Sequence, residues 1–320
     1  MKEIARWIRG LSWLFPAFSV SVMLGLTIIF ILEGHRNLTL VALVVSIMSM
    51  VAVTLQMIIL VNQPRSFIIA VIGFRGTGKT VFLTALFDRL LRKEIPGFDF
   101  APYGAETLER VTENLNTLAL GRWLPSTTNE DVFYFRAQAV FKRGLVPKRL
   151  KLEIGDYPGE SSEQLASDVG KRLHKSDYFK DVVQSDAVFL TIGCDELRDS
   201  SRQSLKIIEN ELMAALNYLK ESKGVLVGRR MRTPLAIILT KADVLGDIER
   251  KYEAVAAEAM NLFAQRMPGL LAHAQKIASS FSCFVVSAVG HLGPDGKPPE
   301  ILKGVGVEKP LLWVLKRLYG

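Results

Sequence analysis

The sequence predicts an α/β domain that follows a two-helix membrane hairpin. Three observations carry this prediction. Residues 11–32 and 38–61 are apolar stretches without a single charge. Residues 67–72 form an apolar, largely β-branched run that leads into a glycine-rich loop and then into a helical pattern over 81–94. Three later strand-like runs, at 150–154, 235–239 and 283–286, each end in a short segment of loop residues. Strands that feed loops at one end of a sheet read this way.

The first two segments contain 22 and 24 residues, and a membrane helix needs about 20. A cleaved signal peptide fits the first less well, because its apolar core usually runs about 7–15 residues and no A-x-A-like site follows. Pro16 is a candidate kink and Gln56 a polar group suited to helix pairing. Lys2, Arg6 and Arg9 precede the first span and Arg65 follows the second, with one arginine in the connection 33–37. Positive-inside logic then places both termini and the following domain in the cytoplasm. The expected organisation is a transmembrane hairpin over 1–61, a linker over 62–65 and a globular domain over 66–320. The expected localisation is an integral membrane protein with two spans.

The loop after the first strand reads Gly73-Phe74-Arg75-Gly76-Thr77-Gly78-Lys79-Thr80, a full G-x-x-x-x-G-K-[ST] match. In a strand–loop–helix context its backbone N–H groups converge on phosphates beside a helix N-terminus. Lys79 is expected at the β- and γ-phosphates and the Thr80 hydroxyl on Mg²⁺. The strand at 150–154 runs into Gly155-Asp156-Tyr157-Pro158-Gly159-Glu160. Here Asp156 suits the Mg²⁺ shell and the Gly159 N–H suits a γ-phosphate.

The run at 235–239 is followed by Thr240-Lys241-Ala242-Asp243. An ionised Asp243 only accepts hydrogen bonds, so it matches the ring N–H and amine of guanine and is repelled by the acceptor of adenine. The stem of Lys241 can lie along the base. A helix N-cap is the other role open to Asp243. The run at 283–286 ends in Ser287-Ala288, where a backbone N–H can meet the guanine carbonyl.

In this order the four elements resemble the P-loop GTPases of the Ras and translation-factor (TRAFAC) class, over about residues 66–320. The resemblance implies a doubly wound α/β fold with a mostly parallel sheet, GTP/GDP and Mg²⁺ as ligands, and GTP hydrolysis. It implies nucleotide contacts from Gly73, Arg75, Gly76, Thr77, Gly78, Lys79, Thr80, Thr240, Lys241, Asp243, Ser287 and Ala288. It also implies a switch I threonine, for which Thr127 and Thr128 are the candidates and Thr128 is preferred; either can also be an ordinary turn residue. The implied metal ligands are Thr80, Thr128 and Asp156, and the implied catalytic set is Lys79, Thr128, Gly159 and Glu160. Residues 160–175 then form the switch II loop and helix.

Three departures stand out. Thr240 replaces the usual asparagine. Glu160 stands where Ras-like enzymes keep a water-orienting glutamine. A helix over about 104–120 is extra. Together with the D-Y-P-G-E and L-P-S-T segments, that helix looks most like GTPases of bacterial conflict systems. Arg75 occupies a loop position where many relatives are small, and two roles are open to it: a contact to the γ-phosphate, or one to solvent or a partner, the second being preferred.

The remaining chain is mostly scaffold, with helical spacing over 201–222, 247–266 and 309–318. Lys+Arg 40 against Asp+Glu 32 gives a net charge of +8, and 49% of residues are hydrophobic, which excludes a disordered or purely nucleic-acid-coating chain. Two cysteines, Cys194 and Cys283, exclude a disulfide framework and a cysteine-based zinc site. If 132–141 and 150–154 form an antiparallel hairpin, its tip carries Lys142, Arg143, Lys148 and Arg149. With Arg65, Arg229, Arg230 and Arg232 these gather at the end opposite the nucleotide. The expected partners are anionic lipid headgroups at that end and a protein effector or activator on the switch face, with no nucleic acid. The expected function is a membrane-anchored GTPase switch. The competing expectations are a non-hydrolysing GTP-binding membrane scaffold, suggested by Glu160, and a nucleotide-gated membrane effector that oligomerises. Asp243 argues against an ATPase.

Overall fold

The computed structural model describes residues 44–45, 47–52, 65–92, 95, 99–125, 133–143, 146–156, 182–226 and 228–319. The chain divides into two units, Met1–Pro64 and Arg65–Gly320. In the larger unit a seven-stranded sheet has the order β2-β3-β4-β1-β5-β6-β7. The strands are β1 (Arg65–Ile72), β2 (Asp99–Pro102), β3 (Phe133–Arg143), β4 (Val146–Asp156), β5 (Ala187–Gly193), β6 (Leu235–Thr240) and β7 (Phe281–Val285). Strands β4, β1, β5, β6 and β7 run parallel, whereas β3 is antiparallel to both β2 and β4. The sheet is therefore mixed but mostly parallel.

Alternation along β1 sets up the two layers. Ile69 and Val71 face one apolar cluster, and Ala70 and Ile72 face the other, as side chains of successive strand residues must. The first cluster is closed by α1 (Lys79–Leu91), through Phe82, Leu83 and Leu86, and by α7 (Lys309–Tyr319), through Leu311, Val314 and Leu315. The second is closed by α4 (Arg202–Ser222), α5 (Tyr252–Arg266) and α6 (Pro268–Ile277), through Leu212, Leu216, Phe263 and Leu270. Strands buried on both faces read as continuous apolar runs, which is why β5 and β6 are buried along their full length. The extra helix is α2 (Ala105–Ala119), and a short helix α3 (Cys194–Asp199) follows β5. Ser201 caps α4 by accepting the Ser204 N–H at 3.1 Å.

The hairpin of β3 and β4 is the one expected, with a register that runs from Phe133 opposite Asp156 to Arg143 opposite Val146. Its turn therefore lies at the end of the sheet opposite Asp156. The segment holding Arg229, Arg230 and Arg232 precedes β6, and all three are exposed. The helix expected over 247–266 starts later, at Tyr252.

The expectation of an integral membrane protein with two spans is corrected. Among the described residues no helix is long and apolar enough to cross a membrane. Within 38–61 the described helical residues are 44–45 and 47–52. The segment 11–32 and the rest of 38–61 lie outside the described residues. The cytoplasmic placement drawn from the flanking charges falls with the spans.

Candidate nucleotide-binding site

The phosphate half is built where β1 turns into α1. Gly76 and Gly78 have φ of 81° and 78°, a left-handed backbone that glycine enters without steric cost. Gly73 is required for space, since a Cβ there would lie 2.0 Å from Thr191 Oγ1 on β5. Thr77 Oγ1 donates to the Phe74 carbonyl at 3.0 Å and lies 3.0 Å from Thr191 Oγ1. Lys79 is buried and its Nζ donates to the carbonyls of Gly73 and Phe74, at 2.7 and 2.8 Å. Arg75 is exposed on the loop.

The Thr80 hydroxyl donates to Asp156 Oδ2 at 2.8 Å, at the C-terminal end of β4. Asp156 is 1% exposed, and among the described residues its Oδ1 has no hydrogen-bond partner. Burial pushes its carboxyl up to about 6, against the Thr80 hydrogen bond and the positive charges of Lys79 and Arg110. A buried carboxylate oxygen without a donor, beside a threonine hydroxyl, is a hard-oxygen donor set of the kind Mg²⁺ takes. The residues present fit that ion.

In the base half, side chains hold one another. Thr240 Oγ1 lies 2.6 Å from the Thr77 carbonyl, to which it donates, and 3.1 Å from that of Ile192. This contact joins β6 to the phosphate loop. Lys241 has φ 54°, and its stem crosses Gly78, where an added Cβ would meet Lys241 Cε at 3.7 Å. Its Nζ pairs with Asp195 Oδ2 at 2.6 Å. Asp243 lies within the short 3-10 turn Ala242–Leu245, whose cap is Lys241, so Asp243 is not the N-cap. Ser287 Oγ donates to Asp243 Oδ1 at 2.5 Å and accepts the Gly290 N–H at 2.9 Å. One oxygen of Asp243 is thereby fixed. Ala288 follows Ser287 and is half-buried, and the backbone of Ser287 pairs with Val305 at 3.1 and 2.7 Å.

The structure thus gathers Gly73, Gly76, Thr77, Gly78, Lys79, Thr80, Asp156, Thr240, Lys241, Asp243 and Ser287 at one end of the sheet. Thr127, Thr128, Gly159 and Glu160 lie outside the described residues. Two polar groups were missed by sequence reasoning. Thr191 is the lone polar side chain in the buried run of β5, and that oddity was a usable signal. Asp195 had none, because its partner lies 46 residues away.

A mostly parallel sheet that carries a glycine-rich phosphate-loop motif, an acidic strand end and the Thr240–Asp243 turn at one end has the arrangement of a P-loop GTPase. The chain belongs to the Double-GTPase 2 family, whose sequence model matches residues 67–283. The resemblance to bacterial conflict-system GTPases fits that family. No curated protein matches the chain in sequence. Among solved structures it is similar to the Arl6 (BBS3) small GTPase of Trypanosoma brucei with bound GppNp, at 13% identity and a TM-score of 0.38, covering 79% of this chain and 96% of that one. It is similar to the S. cerevisiae Ski7 GTPase-like domain bound to GTP, at 14% identity and a TM-score of 0.41, covering 82% and 52%. It is also similar to elongation factor SelB of Methanococcus maripaludis with GppNHp, at 12% identity and a TM-score of 0.37, covering 80% and 34%. As a family GTPase, the protein takes GTP and GDP with Mg²⁺.

Proposed function

We propose that the protein hydrolyses GTP to GDP and uses the two nucleotide states to switch the binding of a protein partner. The observation that carries this reading is the contact between Thr240 and the Thr77 carbonyl. It makes the guanine-reading turn and the phosphate loop one continuous site, suited to a ligand that has both a guanine and a polyphosphate. The fixed Asp243 oxygen leaves the other to accept the guanine donors. The loop N–H groups and the N-terminus of α1 attract the phosphates, and Lys79 supplies a mobile charge that now rests on loop carbonyls. Thr80 and Asp156 would hold Mg²⁺, which when bound neutralises charge that develops on the β- and γ-phosphates.

In this reading Thr128 and Gly159 hold the γ-phosphate end of the two switches, and Glu160 positions water. Loss of the γ-phosphate releases both switches, and an effector or activator reads their surface. Single-turnover hydrolysis by the full-length protein, with ATP as competitor, tests the proposal. Phosphate release well above buffer, with GTP preferred over ATP, supports it. Tight GTP binding without turnover overturns the hydrolytic part.

A further inference from the structure

Helix α2 takes no part in the nucleotide contacts above, yet it is fixed to the elements that make them. Its buried residues Thr107, Val111, Asn114 and Leu118 fall on one helical face. Thr107 Oγ1 accepts the N–H of Arg136 on β3 at 3.0 Å. Asn114 Nδ2 donates to Thr84 Oγ1 on α1 at 2.9 Å, and that hydroxyl donates to the Thr80 carbonyl at 2.8 Å. The helix is thereby pinned to the strand beside Asp156 and to the first turn of the phosphate-loop helix.

Arg110 lies at the edge of this face. Its guanidinium carbon sits 5.6 Å from the centroid of the Phe133 ring, and Phe133 is the register partner of Asp156. Phe133 and Asp156 stand opposite each other on the paired strands β3 and β4, so the Arg110 guanidinium lies at the end of the sheet that carries Asp156. Among the described residues no acid forms an ion pair with Arg110. A guanidinium is always charged and presents five donors in a plane, and a ring face holds it in place without consuming those donors. Arg75, by contrast, is exposed on the phosphate loop.

We propose that Arg110 is a catalytic arginine supplied in cis by α2, which meets the γ-phosphate oxygens and offsets the charge that builds up on them in the transition state. This rests on the hydrolytic reading above. In the step it assists, the water oxygen bonds to the γ-phosphorus as the bond to the β–γ bridging oxygen breaks. That bond's electron pair leaves with GDP, and both protons of the water stay with the phosphate, so GTP and water give GDP and dihydrogen phosphate. A charge held by a docked helix is in place before the reaction and spares reorganisation at that moment.

The test uses full-length protein carrying Arg110→Ala, Arg110→Met, which keeps an apolar stem on Phe133, or Glu113→Ala as an exposed control on the same helix. The measurements are single-turnover GTP hydrolysis, GDP affinity, and capture of GDP with aluminium fluoride, a mimic of the transferring phosphoryl group. Arg110→Ala and Arg110→Met are expected to slow hydrolysis about 10³-fold and to lose fluoroaluminate capture, with GDP affinity retained. Glu113→Ala is expected to behave as wild type. Wild-type rates and capture in both Arg110 variants overturn the assignment alone, as does an equal loss of GDP binding in both. A wild-type chain that binds GTP and hydrolyses none overturns this assignment together with the reading it rests on.

Discussion

A buried lysine and a half-buried one, at opposite ends of the sheet, make the same bonds and serve different ends. Lys79 donates to the carbonyls of Gly73 and Phe74, at 2.7 and 2.8 Å. Lys223 donates to the carbonyls of Val183 and Ser185, both at 2.7 Å. Around Lys223 the chain closes its own polar groups: Asp186 Oδ2 accepts the Ile68 N–H at 3.0 Å, and the Asp186 N–H returns to the Ile68 carbonyl at 2.7 Å. Around Lys79 the described residues do not, since Asp156 keeps a buried oxygen that none of them partners. The local bonding of a lysine therefore says little about its role. The state of the nearby carboxylate says more, for an end left electrostatically open is one that a ligand completes.

Exchanging each lysine for methionine is the strongest way to break this comparison. Lys79→Met should weaken GTP binding by at least about 10²-fold, the scale of lost charge-assisted contacts to phosphate. Each exchange deprives two carbonyls of their donor and should destabilise the nucleotide-free chain by about 1–3 kcal/mol. Lys223→Met should leave GTP affinity unchanged, so the two variants part in nucleotide binding and not in stability. Paired urea titrations and nucleotide titrations measure both.

The base half sharpens the contrast. Asp243→Asn places an amine where guanine also donates and should cost about 2 kcal/mol, roughly 30-fold in GTP affinity, while GTP loses its advantage over ATP in competition. Ser287→Ala removes the donor that fixes Asp243 and should cost about 1 kcal/mol, roughly 5-fold, with the preference for GTP retained. A last effect concerns pH. Burial lowers the Lys223 ammonium from 10.5 to about 8, against the pull of Asp186. Between those values the unfolded chain binds more protons than the folded one, so stability gains from rising pH across that window. Urea midpoints measured from pH 8 to above 10 should show the gain in wild type and its loss in Lys223→Met.

Local signals were legible in the sequence. The phosphate loop, the acidic end of β4 and the Thr240–Asp243 turn declare themselves because their chemistry depends on adjacent residues. The β3–β4 hairpin and helices α2, α4 and α7 were equally plain from periodicity. The central strand β5 was not, for a short apolar run looks alike in a strand and in a buried helix, and no recognisable loop follows it. Links made across the fold were also hidden. Asp195 with Lys241, Thr191 beneath Gly73, and Arg110 beside Asp156 exist only once the sheet order is set. The apolar N-terminal segments show the opposite error. Lack of charge and sufficient length suggested crossing helices, and no described helix is both long and apolar enough to cross a membrane.

The bond from Asn114 to Thr84 has a further consequence. It ties an inserted helix to the backbone turn that presents Thr80, so the position of α2 and the occupancy of the nucleotide site share one free-energy ledger. A protein that grips the outer side of α2 and displaces Asn114 changes nucleotide affinity by some factor. Linkage then requires the nucleotide to change that protein's affinity by the same factor. Helix α2 is in this sense a handle, and what holds it senses the nucleotide without touching it.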